Sequence, residues 1–129
     1  MTSIINASIS SNGIVSTADA SGILQIQSNG KNTNAQAWVN FVGSTATINA
    51  SYNVSSITRI GTGNYAVNFT NAMTDANYSA VAMSGSPGVL DTLQSIATTT
   101  PTSSVFYFIC RSYGAVSTDP AIVNVIVFR

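Results

Sequence analysis

The sequence predicts an all-β protein, an antiparallel β-sandwich with a short extended N-terminal arm. Turn signals rich in Gly, Asn, Ser and Pro recur roughly every 8–12 residues, the spacing typical of a sandwich. Several segments alternate apolar and polar residues, which is the period of a half-buried strand. No segment of useful length shows the period of a helix. We divide the chain into an arm, residues 1–35, and a sandwich domain, residues 36–129.

The arm is composed mostly of small and polar residues. One segment within it, Gly22 to Gln27, has the alternation of a strand, and the pair Asn29-Gly30 that follows indicates a turn. Such a segment buries little apolar surface by itself. We therefore expect the arm to be ordered by a partner protein or by sister copies of the chain.

The sandwich domain begins with six predicted strands. In chain order they are Ala37 to Val42, Thr47 to Val54, Ile57 to Ile60, Tyr65 to Phe69, Tyr78 to Met83 and Val89 to Ala97. In the first strand we expect Trp38 to have a packing role, with stacking on a sugar as the alternative. In the second, the alternation predicts one buried face formed by Ile48, Ala50, Tyr52 and Val54.

The third and fourth strands flank the glycine-rich segment 61–64, which predicts a β-hairpin. Its second strand is expected to direct Tyr65, Val67 and Phe69 inward. Residues 71–77 are expected to form a short connection with one helical turn.

The last two predicted strands, Val105 to Cys110 and Ala121 to Phe128, are apolar on both faces. A strand with two apolar faces lies centrally or carries a second contact surface. In an all-β chain, the second face most simply meets another subunit. We expect at least one of these two strands to form a subunit interface.

Charged residues are rare and balanced. Four basic and four acidic residues give a net charge of zero, and only 6% of the chain is charged, against about 25% in an ordinary soluble domain. Ser, Thr and Asn account for 47 of the 129 residues. Because zero net charge promotes association, this composition favours an obligate assembly.

The composition also excludes several functions. Without His there is no Ser-His-Asp triad and no His-ligated metal. The four carboxylates, Asp19, Asp75, Asp91 and Asp119, are scattered along the chain, several in turn settings, and do not suggest a glycosidase pair. We predict no enzyme activity, no catalytic residue, no cofactor and no metal. Cys110 has no His partner, and a buried structural thiol is the favoured interpretation.

Nucleic acid and membrane are not expected partners. No cluster of basic residues provides the positive surface that nucleic acids or anionic membranes require. The N-terminus lacks the features of a signal peptide. No apolar stretch reaches the roughly 20 residues that span a bilayer. We therefore predict no nucleic-acid binding and no membrane insertion.

One group of residues is a candidate binding site. Tyr113 lies in the loop after the seventh predicted strand, beside Arg111 and near Asp119. An aromatic ring with a cation and a carboxylate on a loop is a common means of holding a polar glycan. We expect the outward-facing binding surface to comprise the loops Ser84–Gly88 and Ser112–Pro120.

Several segments resemble a pattern common in structural proteins of tailed bacteriophages. They are the runs Ala37 to Phe41, Ala50 to Ile57 and Gly63 to Tyr78, with Val123 to Phe128 at the end of the chain. The segment Ala20 to Gly30 is similar to the fibre connectors that precede such domains. The resemblance covers most of residues 20–83 and the last strand, and little of residues 84–121.

The resemblance implies a β-sandwich at the end of a virion appendage, generally a homotrimer, made in the host cytoplasm and incorporated into the particle. The implied role is attachment to a glycan or protein of the host surface, with no enzyme activity and no cofactor. Related domains often end a long fibre, whereas this chain has a short arm. That departure favours a short fibre or tip domain. The alternative is a capsid decoration (cement) or head-fibre protein that stabilises the particle.

Overall fold

The computed structural model confirms an all-β fold. It describes residues 27–28, 31–32, 34–86, 93–96, 99–112 and 114–129, and every regular element within these ranges is a β-strand. In chain order the strands are β1 (Gln27–Ser28), β2 (Lys31–Asn32), β3 (Ala37–Val42), β4 (Thr47–Tyr52), β5 (Val54–Gly61), β6 (Asn64–Phe69), β7 (Ser79–Gly85), β8 (Leu93–Ile96), β9 (Val105–Arg111) and β10 (Ile122–Phe128).

Eight of these strands form two four-stranded sheets in the described part of the chain. The first sheet has the order β4-β3-β10-β7, and the second has the order β5-β6-β9-β8. All neighbouring strands in both sheets are antiparallel. Among the described residues, the short strands β1 and β2 pair with each other and with no third strand.

One hydrophobic core lies between the two sheets. Alternate residues of four strands form most of it: Ala37, Val39, Phe41, Val123, Val125 and Val127 from the first sheet, and Tyr65, Val67, Phe69, Phe106, Phe108 and Cys110 from the second. The rings of Phe41 and Tyr65 meet edge to face across the sheets, with centroids 5.3 Å apart. The predicted sandwich is therefore confirmed, as are the inward positions of Tyr65, Val67 and Phe69.

The single strand predicted over residues 47–54 is wrong, because two strands in different sheets occupy this range. β4 ends at Tyr52, Asn53 adopts a φ of 54°, and β5 begins at Val54. Asn tolerates this left-handed conformation better than most residues. Its Nδ2 donates to the carbonyls of Gln36 and Asn71, at 3.0 and 3.1 Å, and its Oδ1 accepts from the Asn71 N–H at 2.8 Å.

A β-bulge changes the face that Ala50 occupies. Asn40 of β3 pairs with Ala50, whereas the next residue, Phe41, pairs with Ile48, so Asn49 is an extra residue in β4. Ile48 packs against the core and Ala50 is exposed. Tyr52 pairs with the outward-facing Trp38. The expectation that Ile48, Ala50 and Tyr52 share one buried face is wrong, because an extra residue shifts the two-residue period of the strand.

Two smaller predictions also differ from the structure. Residues 71–77 contain bends and no helical turn. Trp38 is 39% exposed on the outer face of the first sheet, because its neighbours Ala37 and Val39 take the inward positions. Its ring therefore lies outside the core.

The strands alternate in direction, so the sandwich has two distinct ends. Four strands finish at one of them, which we call the loop end: β3 at Val42, β5 at Gly61, β7 at Gly85 and β9 at Arg111. We call the other the arm end, because residues 34–36 lead into β3 there. At the arm end the N–H of Gln36 donates to the carbonyl of Val127 at 2.8 Å.

Candidate binding site at the loop end

The connection between β9 and β10, residues 112–121, is the largest described loop at the loop end. We call it the β9–β10 loop. The N–H of Ser112 donates to the carbonyl of Val116, and that of Ala115 to the carbonyl of Ser112, both at 2.8 Å. Arg111 and Ser117 form an isolated antiparallel bridge below this turn. The hydrogen bonds give the described part of the loop a compact form, and Val116 is 64% exposed on it.

Asp119 anchors this loop to the sandwich. Its carboxylate accepts from the Arg59 guanidinium, with Nη2 2.6 Å from Oδ2 and Nε 3.1 Å from Oδ1. The Tyr65 hydroxyl and the Gly63 N–H also donate to Oδ1, at 2.7 and 2.8 Å. Arg59, Gly63 and Tyr65 all belong to the β5–β6 hairpin, so one carboxylate joins two connections of the loop end.

These contacts set the electrostatics of the group. The hydrogen bond from Arg59 is the main cause that lowers the pKa of Asp119 to about 2, against a smaller opposing effect of burial. Burial is the main cause that raises the pKa of Tyr65 well above its usual value, and the hydrogen bond to Asp119 adds to it. Asp119 is therefore a carboxylate and Tyr65 a neutral phenol at neutral pH.

Two close backbone approaches bring the β9–β10 loop against the sheets. At Gly43, which follows β3, a Cβ would lie 2.5 Å from the carbonyl oxygen of Pro120. At Gly63, which has a φ of 67°, a Cβ would lie 2.4 Å from the carbonyl oxygen of Cys110. Only glycine fits at both positions, because the atoms met are backbone atoms.

The three predicted site residues have different surroundings. Asp119 faces Arg59 and Tyr65 and is 18% exposed at its side chain. Arg111 is half-buried at the end of β9, and its Nε is buried without a hydrogen-bond partner in the described ranges. Tyr113 lies outside the described residues. The grouping of these three residues as a receptor site stays a prediction.

The two loops predicted to face outward lie at the same end of the sandwich. Ser86, just after β7, accepts a hydrogen bond at its Oγ from the N–H of Ala121 at 2.9 Å. Residues 87–88 of the first predicted loop lie outside the described residues. The loop end is therefore a composite surface formed by several connections.

Sequence reasoning missed Arg59, Gly63 and Tyr65 as partners of Asp119. They precede Asp119 by more than fifty residues, and only the pairing of the two sheets brings them together. One signal was present: Arg59 is a charged residue in an otherwise uncharged strand of a chain with very few charges. A charge in that setting indicates an ion pair.

The described carboxylates do not form a pair. Asp119 lies at the loop end, whereas Asp75 lies at the arm end, where it pairs with the Arg129 guanidinium and accepts from the Asn77 N–H at 2.7 Å. Asp19 and Asp91 lie outside the described residues. The Cys110 thiol is buried, as expected, and burial raises its pKa to about 11. Neither described carboxylate, nor this thiol, has the surroundings of a general base or nucleophile.

The described ranges contain no group of three His, Cys, Asp or Glu side chains placed to hold a metal ion. They also contain no helix that is long and apolar enough to cross a membrane. Comparisons of the chain with protein-family models, curated proteins and solved structures found no match.

Proposed function

We propose that this chain is a structural protein of a bacteriophage virion, a short fibre or tip domain that attaches the particle to the host cell surface. The observation that carries the proposal is that residues 34–36, which lead into β3, and the β9–β10 loop lie at opposite ends of the sandwich. Strands of about seven residues separate the two ends by roughly 24 Å. A chain held at the arm end therefore directs the β9–β10 loop away from its support.

The anchoring of the loop supports a binding role. Asp119 and the two close backbone approaches hold the described part of the loop on a rigid sheet scaffold. A loop that is already ordered loses little conformational entropy when it binds, which favours affinity. The hydroxyl- and amide-rich composition gives few charges that would bind unrelated ions.

Binding to cells tests the attachment role. The fluorescently labelled full chain is incubated with intact cells of the host bacterium, and bound label is measured by flow cytometry. We expect Tyr113→Ala to reduce binding about tenfold, the size of a typical contact at the centre of an interface. The melting temperature should not change.

Thr74→Ala is the matched control, because Thr74 is exposed at the arm end. It should bind like the unaltered chain. Equal binding by Tyr113→Ala would refute the assignment of the loop, and absence of binding by the unaltered chain would refute attachment.

The location of the chain on the particle distinguishes attachment from the alternative of capsid decoration. Gold-labelled antibody and electron microscopy of intact particles give this location. Label at the tail or at fibre tips supports attachment. Label distributed over the head supports a decoration or head-fibre protein and overturns the attachment role.

A further inference from the structure

The outer face of the first sheet carries a continuous apolar surface. Its members are the exposed large apolar residues of β3, β7 and β10: Trp38, Val81, Met83, Ile122, Ile126 and Phe128. We call this surface the apolar face. Val81 and Met83 are 63% and 68% exposed, and the other four are 39–49% exposed. Surfaces of this kind mark interaction sites in soluble proteins.

The strand register makes these residues neighbours. Ile126 pairs with Trp38 on one side and with Val81 on the other, so the three form one row across three strands. Asn124 pairs with Met83 in the next row. Ile122 and Phe128 lie at the two ends of the same strand. The apolar face is therefore one surface, which continues through Val81 and Met83 past the row that contains Asn40 and Asn124.

The outer face of the second sheet is different. Along β5 and β6 it carries hydroxyl and amide groups, with the Nδ2 of Asn68 donating to the hydroxyl oxygens of Ser56 and Thr58, both at 3.0 Å. Tyr107 and Val105, on β9, are half-buried within the single chain. Of the two strands predicted to be apolar on both faces, only β10 opens a large apolar surface to solvent in the described structure.

Three asparagines form a hydrogen-bonded ladder across the apolar face. The Nδ2 of Asn49 donates to the Oδ1 of Asn40 at 2.8 Å, and the Nδ2 of Asn40 donates to the Oδ1 of Asn124 at 2.7 Å. These two bonds use neither the Oδ1 of Asn49 nor the Nδ2 of Asn124. The ladder thus has an acceptor at one side and a donor at the other.

We propose that the apolar face is the subunit interface of a homo-oligomer and is covered by further copies of this chain. The proposal stands on this surface alone and is independent of the attachment role. The charge distribution supports it. The described ion pairs, Arg59–Asp119 and Arg129–Asp75, lie at the two ends of the sandwich, and every member of the face is uncharged. A partner that is recognised through ion pairs therefore finds no charged residue among the members of this face.

A second copy is complementary to the face in two respects. Apolar side chains meet apolar side chains, and the donor side of the asparagine ladder can meet the acceptor side of another. Buried amides of this kind select one register of association among several. With a net charge of zero, copies of the chain do not repel one another.

The face has the extent that an interface requires. The apolar face occupies three of the four strands of the first sheet, and the outer face of that whole sheet spans roughly 20 by 24 Å, close to 500 Å² measured flat. Because side chains project from the sheet, its accessible area is larger than this flat area. It therefore approaches the area of about 800 Å² that each partner buries in a standard interface. An open depression of about 400 Å³ beside Met83, Ile122 and Asn124 provides a recess for a projecting side chain of the partner.

The mass of the full chain in solution tests this proposal without any host cell. Light scattering coupled to size-exclusion chromatography should give a dimer or trimer for the unaltered chain. The double substitution Val81→Lys with Met83→Lys places two charges on the face and should give a monomer. Both positions are on an edge strand and are largely exposed, so the sandwich should keep its far-ultraviolet circular dichroism.

Ile60→Lys and Val116→Lys are the matched controls, because these residues are 53% and 64% exposed but lie away from the apolar face. Each should keep the mass of the unaltered chain. A monomeric unaltered chain would overturn the proposal. So would an unchanged mass of the double variant, or dissociation by either control.

Oxidation of Met83 gives a second readout that needs no variant. If the apolar face were open to solvent, hydrogen peroxide would oxidise Met83, which is 68% exposed in the single chain, far faster than Met73, which is 7% exposed. Coverage by another copy predicts slow oxidation of both. Rapid oxidation of Met83 at concentrations where the oligomer forms would contradict the proposal. A monomer with slow oxidation would assign the face to residues 1–26 of the same chain and would also contradict it.

Discussion

At the residue scale, Asp119 connects the β9–β10 loop to the β5–β6 hairpin through a single carboxylate. Its donors are the Arg59 guanidinium, the Tyr65 hydroxyl and the Gly63 N–H. Tyr65 is fully buried in the folded chain, so loss of the carboxylate removes the hydrogen-bond acceptor of a buried phenol. The group therefore contributes to stability chiefly by satisfying buried donors.

We expect Asp119→Ala to lower the free energy of unfolding by about 1–3 kcal/mol at pH 7, the range found for buried groups that lose their partner. Asp119→Asn keeps an acceptor for Tyr65 and Gly63 and should cost less. Chemical denaturation measures both. Asp75→Ala is the control: it removes the exposed carboxylate at the arm end and should have the smallest effect.

The same contact predicts a pH dependence. The pKa of Asp119 is about 2 in the folded chain and 3.8 ordinarily, so the unfolded state binds the proton more tightly. The stabilisation is thus fully present above about pH 4 and is lost as the pH falls toward 2. The difference in stability between the unaltered chain and Asp119→Asn should shrink over this range. A difference that stays constant from pH 5 to pH 2 would contradict the assigned ion pair.

Gly63 is a second residue on which the structure of the loop end depends. Gly63→Ala must accommodate a φ of 67° and a Cβ 2.4 Å from a backbone oxygen of Cys110. We expect a loss of at least about 2 kcal/mol, because the left-handed conformation alone costs an L-residue about 1–2 kcal/mol. Gly61→Ala is the matched control, because its Cβ would meet nothing within 4 Å. Similar denaturation midpoints for the two variants would count against this geometry.

At the scale of the element, β10 is a strand with two apolar faces that have different surroundings. Val123, Val125 and Val127 are almost fully buried in the core, whereas Ile122, Ile126 and Phe128 are 42–49% exposed on the apolar face. The strand lies between β3 and β7 in the first sheet. Its hydrogen bonds are satisfied on both edges, so any further contact comes from its side chains.

Neighbouring substitutions in β10 should therefore act differently. Val125→Ala removes core volume and should lower the stability by about 2 kcal/mol at every protein concentration. Ile126→Ala should lower the melting temperature by an amount that depends on protein concentration, because the stability of an oligomer includes the association of its chains. Thermal unfolding over a hundredfold range of concentration separates the two. Identical concentration dependence for both variants would contradict the subunit interface.

At the scale of the whole molecule, the alternation of strand direction gives the sandwich its polarity. The two connections joined by Asp119, the β5–β6 hairpin and the β9–β10 loop, lie at the loop end. Residues 34–36 enter β3 at the other end. Among the described residues, the core extends from Ala37 to Val127. None of these described core residues belongs to the arm.

Deletion of residues 1–20 should accordingly leave the sandwich folded. We expect the melting temperature at a fixed concentration to change by no more than a few degrees, because every described core residue is kept. If the arm attaches the chain to the particle, incorporation into virions should be lost at the same time. Immunoblots of purified particles measure incorporation. Normal incorporation of the truncated chain would refute the role assigned to the arm.

The sequence by itself determined the fold class, most of the strands and the inward residues of β6. These features follow from local periods and turn residues, which act over a few positions. The alternation of apolar and polar residues gave a wrong prediction over residues 47–54, because a bulge in β4 shifts the alternation and the left-handed Asn53 ends the strand. The sequence also marked β10 as apolar on both faces, although it did not distinguish β10 from β9.

Only the tertiary structure decided which residues meet. The partners of Asp119 are 54–60 positions distant in the chain, and the row of Trp38, Ile126 and Val81 joins three strands that are far apart in sequence. Strand order and register bring such residues together, and neither is encoded in a local period. The apolar face and the anchoring of the β9–β10 loop therefore emerge only when the two sheets are assembled.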